Sequence, residues 1–232
     1  MPGRLRMSGG LARRAHEFAA SGKEPVQAKL ASTVVVIRDA QDAGIEVYVH
    51  RRHRGMRFAA GVGAFPGGGV DPIDVAVPIE HEESWARRLR VADPMTARVH
   101  LGAAVRELAE ETGLIVAPSE LTPWAHWITP TFEQRRYDTW FFLLPLPADV
   151  EPEDVSGETE DVGWVRPVDE LARAEARQSI LMPPTRSVLT EIAEMGSVAD
   201  AVAAGQTRTI ETIQPAWELD GDDVILTIDD GP

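Results

Sequence analysis

A glycine-terminated helix with an acidic face is the feature that most constrains this chain. The pattern of residues 95–112 predicts a helix, and Gly113 is of the residue type that commonly ends one. Because residues three and four apart are neighbours on a helix surface, Glu107, Glu110 and Glu111 share one face. Apolar side chains lie on the other side: Ala104, Val105 and Leu108. The segment therefore predicts a helix that packs on a sheet and presents three carboxylates.

The acidic face carries more negative charge than its neighbours can neutralise. Three carboxylates close together repel one another, and Arg106, which can pair with Glu110 at i+4, cannot neutralise all three. A hard divalent cation can, and oxygen ligands favour Mg²⁺ or Mn²⁺. A solvated helix face is the alternative interpretation. The glycine cluster 66–69, which ends a strand and precedes the helix, favours metal binding.

The acidic composition bounds the classes of function. The chain has 232 residues, of which 37 are acidic and 23 basic, and its net charge is −14 at pH 7. Nucleic-acid affinity depends on Lys and Arg, so we expect no nucleic-acid partner. The absence of Cys excludes disulfides, zinc thiolate sites and cysteine catalysis, and it fits a reducing, cytoplasmic location. Since no apolar run approaches the length of a membrane span, we expect no membrane partner.

The remaining chain alternates strands, helices and loops. A buried strand over 32–37 and an alternating strand over 45–50 predict a hairpin. Further strands are predicted at 114–116, 124–129, 137–144 and 162–166, and further helices at 80–90, 168–177 and 185–194. The tail from Thr209 predicts one or two edge strands. Residues 1–30 predict a leader that is partly ordered at best.

Residues 106–114 resemble the core of the Nudix box. The run Arg-Glu-Leu-Ala-Glu-Glu-Thr-Gly-Leu agrees with every specified position of R-E-U-x-E-E-x-G-U, where U is aliphatic. Pro66-Gly67-Gly68 resembles the opening of the box, and Asp74 stands where the family has a Glu. The family places seven residues between that acid and the Arg, whereas 31 stand here, which is an insertion of 24 residues assigned to 75–98. We assign 31–175 to the Nudix domain and 176–232 to a helical and edge-strand extension of it.

The resemblance implies an α/β/α sandwich with a mixed β-sheet, followed by C-terminal helices. It also implies hydrolysis of a nucleoside diphosphate linked to another moiety, and it assigns the metal face to Glu107, Glu110, Glu111 and Gly68. Of these, Glu110 and Glu111 resemble the direct ligands, and Gly68 either provides a backbone ligand or permits close approach of the loop. Arg106 would orient the glutamates through charge-assisted hydrogen bonds. The general base varies within the family, and the candidates here are Glu158, Glu160 and Glu107.

The segment before the glycine cluster resembles the signature of Nudix enzymes that cleave coenzyme A (CoA). The residues in register are Arg52, Arg57, Gly61, Phe65, Pro66, Gly67 and Gly68, and those that depart from it are Tyr48, Val49, His50 and His53. CoA carries a 3′-phosphate, which suits the bidentate donors of arginine. The long insertion is similar to that of the peroxisomal-type branch of these enzymes. The resemblance implies that CoA or acyl-CoA gives 3′,5′-ADP and a phosphopantetheine.

Several alternatives remain open. The substrate could instead be ADP-ribose, NADH or a (d)NTP, or the chain could be a binding module without hydrolysis, although such modules usually lose box glutamates. A dinucleotide-binding oxidoreductase is excluded because no glycine completes G-x-G-x-x-G after Gly61 and Gly63. Trp127 could stack on an adenine or belong to the core, as could Phe132 and Tyr137. We expect His50 and His53 to face solvent or phosphate, and a homodimer is possible.

Overall fold

The computed structural model describes residues 3–52, 62–155, 157 and 159–228, and for Arg52 and residues 159–161 only the backbone is considered. The strands are β1 Gly3–Met7, β2 Lys29–Asp39, β3 Ile45–Arg52, β4 Val62–Ala64, β5 Gly67–Gly69, β6 Thr122–Ile128, β7 Tyr137–Pro145, β8 Thr159–Val165, β9 Ile180–Leu181, β10 Thr212–Ile213, β11 Ala216–Asp220 and β12 Asp223–Ile228. The α-helices are α1 Gly10–Ser21, α2 Glu82–Arg88, α3 Pro94–Thr112, α4 Pro167–Glu175, α5 Pro183–Ala193 and α6 Val198–Thr207. Two short 3-10 turns cover Pro72–Ala76 and Pro118–Glu120.

A mixed sheet forms the centre of the molecule, as the sequence predicts. Its strand order is β10-β6-β7-β2-β3-β4-β9, with β5 paired to β2 and β8 to β3. Strand β2 runs parallel to β7 and antiparallel to β3 and β5, so the sheet contains both kinds of pairing. The predicted hairpin is confirmed as β2 and β3. The strand predicted at 114–116 is not formed. These residues follow α3 as an irregular segment that leads into the turn at 118–120.

Helices cover both faces of this sheet, which confirms the predicted α/β/α arrangement. Successive residues of β2 point to opposite faces: Val34 and Val36 belong to the cluster under α3, and Val35 and Ile37 to the cluster under α5. A strand that is apolar at every position is therefore buried on both sides. Strand β7 behaves in the same way, with Phe142 in the first cluster and Phe141 in the second.

The insertion builds new structure without displacing the acidic helix. Residues 75–98 contain α2 and the first residues of α3, and Trp85 and Leu89 of α2 join the cluster under α3. Helix α3 begins at Pro94, where the side chain of Asp93 accepts a hydrogen bond from the backbone amide of Met95. It ends at Gly113 in the left-handed conformation. The helix is thus longer than the Nudix motif requires, and its ends lie where the sequence places them.

The N-terminal residues are more ordered than the sequence predicts. Strand β1 pairs antiparallel with β12, which also pairs with β11, so the two ends of the chain form a second, three-stranded sheet. Helix α1 packs on it through Ala12 and Ala15, and Arg14 makes a two-pronged ion pair with Glu133. The partner strand lies more than 200 residues along the chain, so local sequence contains no sign of this pairing. None of the helices in the described ranges is long and apolar enough to cross a membrane.

We predict that Ala15→Asp destabilises the protein by about 3 kcal/mol, because it introduces a carboxyl group into a fully buried position. Urea unfolding of this variant should be compared with that of Ala19→Asp, a substitution at an exposed position of the same helix. Equal stability of the two variants would show that α1 does not pack against the C-terminal strands.

Candidate active site

The glycine cluster forms a strand that lies on the sheet next to the acidic helix. Residues 67–69, strand β5, pair with residues 31–33 of β2, and the carbonyl of Pro66 accepts a hydrogen bond of 2.8 Å from the amide of Val34. Helix α3 packs against both β2 and β5. The two segments that the sequence singled out therefore lie against each other, although Gly69 and Arg106 are 37 positions apart along the chain.

Two of these glycines are required by close contacts. A Cβ atom at Gly68 would lie 2.3 Å from Oε1 of Glu107, so the carboxylate of Glu107 rests directly on the Gly68 backbone. A Cβ atom at Gly67 would lie 2.4 Å from the carbonyl oxygen of Ser32. At Gly69, by contrast, the nearest atom would be 3.9 Å away, which is ordinary van der Waals contact. Glycine is thus needed at two consecutive positions for the loop to approach the helix and the sheet.

Arg106 connects the acidic face to the glycine strand and to Asp74. Its guanidinium donates to both carboxylate oxygens of Asp74, from Nε at 2.7 Å and from Nη2 at 3.0 Å. It also donates from Nη1 to Glu107 at 2.8 Å and to Glu110 at 3.1 Å, and from Nη2 to the carbonyl of Gly69 at 2.9 Å. These contacts raise the pKa of Arg106, with the hydrogen bonds that it donates to Asp74 as the largest cause. Arg106 is therefore a fixed cation that can orient the glutamates, as the resemblance implies.

Asp74 occupies its place despite the long insertion. Its side chain is completely buried, and it closes a capping box in the turn Pro72–Ala76 by accepting a hydrogen bond of 2.7 Å from the amide of Asp71. The turn touches α3 at Gly102, where a Cβ atom would lie 2.4 Å from the carbonyl oxygen of Asp74. Gly102 stands one helical turn before Arg106, so this contact brings the aspartate within reach of the guanidinium.

The third box carboxylate, Glu111, contacts the first residue of the glycine strand. Its Oε2 atom accepts a hydrogen bond of 3.0 Å from the amide of Gly67 and lies 3.4 Å from Nδ1 of His50. His50 is only 3% exposed, between the neighbouring strands β4 and β8. The expectation that His50 faces solvent is therefore wrong, because its ring packs against Tyr48 and lies beside Glu111 of α3. His53 lies outside the described residues.

The electrostatics of the acidic face match the surplus of negative charge that the sequence predicts. Burial raises the pKa of Glu107, and the charges of Glu111 and Glu110 raise it further, while Arg106 opposes the shift. The side chain of Glu110 is 58% exposed. Within the described ranges, no three His, Asp or Glu side chains converge as a metal-binding group, because these carboxylates turn toward Arg106 and the Gly67 amide. The donor set itself, all oxygen and incompletely neutralised, fits a hard divalent cation.

The structure describes the remaining predicted site residues only in part. Glu160 is the extra residue of a β-bulge, because Asp161 pairs with Arg51 and Thr159 with Arg52. Arg52 ends β3, two residues beyond His50. Arg57 and Glu158 lie outside the described residues.

Two predicted substrate-binding residues are not brought to the box. Phe65 and Trp127, which are 5% and 4% exposed, belong to the cluster on the face of the sheet opposite α3. Of the two alternatives for Trp127, stacking on an adenine or belonging to the core, the structure supports the second. The same holds for Phe132, which packs against Trp217. Tyr137 is 40% exposed. The sequence did not predict the contact of His50 with Glu111 or that of Gly102 with Asp74. The signal for Gly102 was its position inside a helix, where a glycine commonly serves close packing.

Comparison with known proteins agrees with this geometry. The NUDIX domain family matches residues 28–183, two thirds of the chain, so the chain belongs to that family. A NUDIX hydrolase structure from Alicyclobacillus acidocaldarius is 26% identical, with a TM-score of 0.64, covering 80% of this chain and 99% of the other. With the intact box, these similarities make the protein a Nudix hydrolase. Such enzymes act on small nucleotide derivatives and generally use divalent metal ions.

More distant structures share the fold only in outline. The NUDIX domain of Shewanella oneidensis NrtR, complexed with ADP ribose, is 14% identical with a TM-score of 0.48, over 77% of this chain and 96% of the other. A MutT NUDIX hydrolase from Burkholderia pseudomallei is 19% identical with a TM-score of 0.43, over 71% and 98%. Both TM-scores are low, and neither structure is used to infer a property of this chain. No curated protein matches it.

We predict that Asp74→Asn lowers the free energy of unfolding by about 3 kcal/mol, because it removes the buried negative charge that pairs with Arg106. Whichever way the new amide group turns, its NH2 faces a donor, either the backbone amide of Asp71 or Nε of Arg106. Asp71→Asn is the matched control, since this exposed side chain accepts hydrogen bonds from backbone amides of the turn, which asparagine can also accept. Urea unfolding that ranked the two variants equally would contradict the structural role of Asp74.

We predict that Gly68→Ala abolishes most hydrolytic activity and changes stability by less than about 1 kcal/mol. The new methyl group displaces the carboxylate of Glu107, and the end of that flexible side chain can move without unfolding the helix. Gly69→Ala is the control because a methyl group there meets no atom closer than 3.9 Å. Initial rates with the substrates tested below and thermal unfolding should be measured for both variants; similar rates would show that the Glu107 contact is unimportant.

Proposed function

We propose that this Nudix hydrolase cleaves the diphosphate bond of a nucleoside diphosphate derivative in an Mg²⁺- or Mn²⁺-dependent reaction, and that CoA or acyl-CoA is its substrate. The observation that supports this best is the gathering of Glu107, Glu110 and Glu111 beside the Gly67–Gly69 strand, where Arg106 bonds to the first two and the Gly67 amide to the third. A non-catalytic binding module would have no need to maintain this arrangement of charges, which costs stability.

The residues that would hold the cation are Glu107, Glu110 and Glu111, together with the backbone of Gly68. When bound, a divalent cation neutralises phosphate oxygens and makes an attacking water more acidic. Arg106 keeps two of these carboxylates in place, and the Gly67 amide keeps the third. The absence of side chains at positions 67 and 68 lets the diphosphate approach the backbone closely.

Hydrolysis requires in-line attack of water on one phosphorus while the other phosphate leaves. A carboxylate must accept the proton of the water, and we propose Glu160, Glu158 or Glu107 for this role. Burial raises the pKa of the Glu107 carboxyl, which makes it a stronger base than an exposed glutamate. Glu160 stands in the bulge of β8, beside the end of β3 that follows His50.

The choice of CoA depends on the arginines. Arg52 and Arg57 keep the spacing of the CoA signature relative to Phe65-Pro66-Gly67-Gly68. Arg52 stands two residues after His50, whose ring lies against Glu111, so the end of β3 is close to the box. A guanidinium at this edge would suit the 3′-phosphate of CoA, which ADP-ribose and NADH lack. The expected products are 3′,5′-ADP and (acyl-)phosphopantetheine.

We predict that CoA is hydrolysed faster than dephospho-CoA, ADP-ribose, NADH or dNTPs when each is supplied with Mg²⁺ or Mn²⁺. Arg52→Ala and Arg57→Ala should each lower kcat/KM for CoA by about ten-fold or more, the value of a lost charge-assisted hydrogen bond, and leave dephospho-CoA unchanged. Arg54→Ala, in the same segment but outside the signature, is the matched control. Product formation should be followed by chromatography.

The controls separate the two parts of this proposal. Glu110→Gln should be inactive with every substrate, because it removes a metal-binding carboxylate while keeping the shape of the side chain. If ADP-ribose, NADH or a dNTP is the best substrate, the metal-binding interpretation stands and the assignment of CoA is wrong. A wild-type protein that cleaves none of these substrates would favour the binding module.

A further inference from the structure

His50 is a buried polar residue beside the box carboxylate Glu111, and the reaction described above gives it no role. It is 3% exposed, and its Nδ1 atom lies 3.4 Å from Oε2 of Glu111. Its other nitrogen, Nε2, is buried and has no hydrogen-bond partner among the described residues. A buried imidazole with one unsatisfied nitrogen is costly, so its single polar contact needs an explanation.

The chemistry of the contact fixes the tautomer. An ionised carboxylate can only accept hydrogen bonds, so a neutral His50 that interacts with Glu111 must carry its proton on Nδ1. The distance of 3.4 Å is at the long end for a hydrogen bond, and such contacts often shorten when an active site is loaded. Glu111 then has two donors on one oxygen, the Gly67 amide at 3.0 Å and the His50 ring.

The ring is held so that it cannot turn away. His50 pairs through its backbone with Ala64 of β4 and Val162 of β8, in the interior of the sheet. Its ring packs edge-on against Tyr48, with centroids 5.3 Å apart, and Tyr48 packs in the same way against Trp164. Donors that orient a metal-binding carboxylate act best when packing fixes their own position.

We propose that His50 is a positioning residue that holds Glu111 by donating from Nδ1, and thereby strengthens binding of the divalent cation at the acidic face. The contact leaves the other oxygen of Glu111 free for the cation. This inference rests on the proposed function, because it assumes that the box glutamates bind a cation.

The test measures binding of Mn²⁺ to the full chain by the electron paramagnetic resonance signal of the free ion. His50→Asn keeps a donor at the position of Nδ1, whereas His50→Gln moves the donor one bond further and His50→Leu removes it. We expect the Gln and Leu variants to bind Mn²⁺ about ten-fold more weakly and the Asn variant to stay within about three-fold of wild type. His126→Gln is the control, since that histidine contacts Asp138 and Thr212 instead of the box.

Each outcome has a distinct meaning. If the Leu variant does not fold, the comparison of the Asn and Gln variants decides alone. Equal Mn²⁺ affinity of the Asn and Gln variants would overturn the role of the Nδ1 donor, whether both match wild type or both are weakened. If wild type binds no Mn²⁺, or Glu110→Gln binds it as well as wild type does, the metal site itself is wrong and the role of His50 fails with it. A parallel assay should show lower kcat at limiting Mn²⁺, restored at saturating Mn²⁺, with the KM of the substrate unchanged.

Discussion

The ion pair between Arg106 and Asp74 is the interaction on which the rest of the site depends. A single guanidinium bonds to a buried aspartate in a turn, to two glutamates on its own helix and to a carbonyl of the glycine strand. Three separate segments are thereby fixed relative to one another by one side chain. Because arginine remains charged throughout the accessible pH range, this arrangement does not depend on a protonation equilibrium of its own.

The same ion pair explains why the site remains negative. One guanidinium bonds to three carboxylates, those of Asp74, Glu107 and Glu110, and it shares its charge most closely with the buried aspartate. The remaining repulsion is visible in Glu107, whose pKa is raised by burial and by its two neighbouring glutamates despite the arginine beside it. An arrangement that fully neutralised the glutamates would be more stable without ligand and would attract a cation less strongly. The incomplete compensation is therefore the property that suits the site to metal binding.

The sequence predicts the parts of this structure that depend on local chemistry. The run from Arg106 to Gly113 defines a helix, its acidic face and its end, and the apolar run of β2 predicts a buried strand. The sequence does not predict contacts that depend on distant partners. Strand β1 forms because β12 offers it an edge, and the ring of His50 is buried where it packs against Tyr48 and lies beside Glu111 of α3. The polar character of His50 suggested an exposed side chain, whereas contacts with Glu111 and Tyr48 accompany the burial of its ring.

The long insertion shows which part of the motif the chemistry requires. The chain leaves the site at Asp74 and returns along α3, and these two points touch where the backbone of Asp74 meets Gly102. Closing a longer loop between two points that are already in contact adds little entropy cost, since that cost rises only with the logarithm of loop length. The inserted residues also bury Trp85 and Leu89 against the core, which offsets part of it. The fixed requirement is therefore the contact between a buried carboxylate and Arg106, and the number of residues between them can vary as long as Gly102 lets the turn approach the helix.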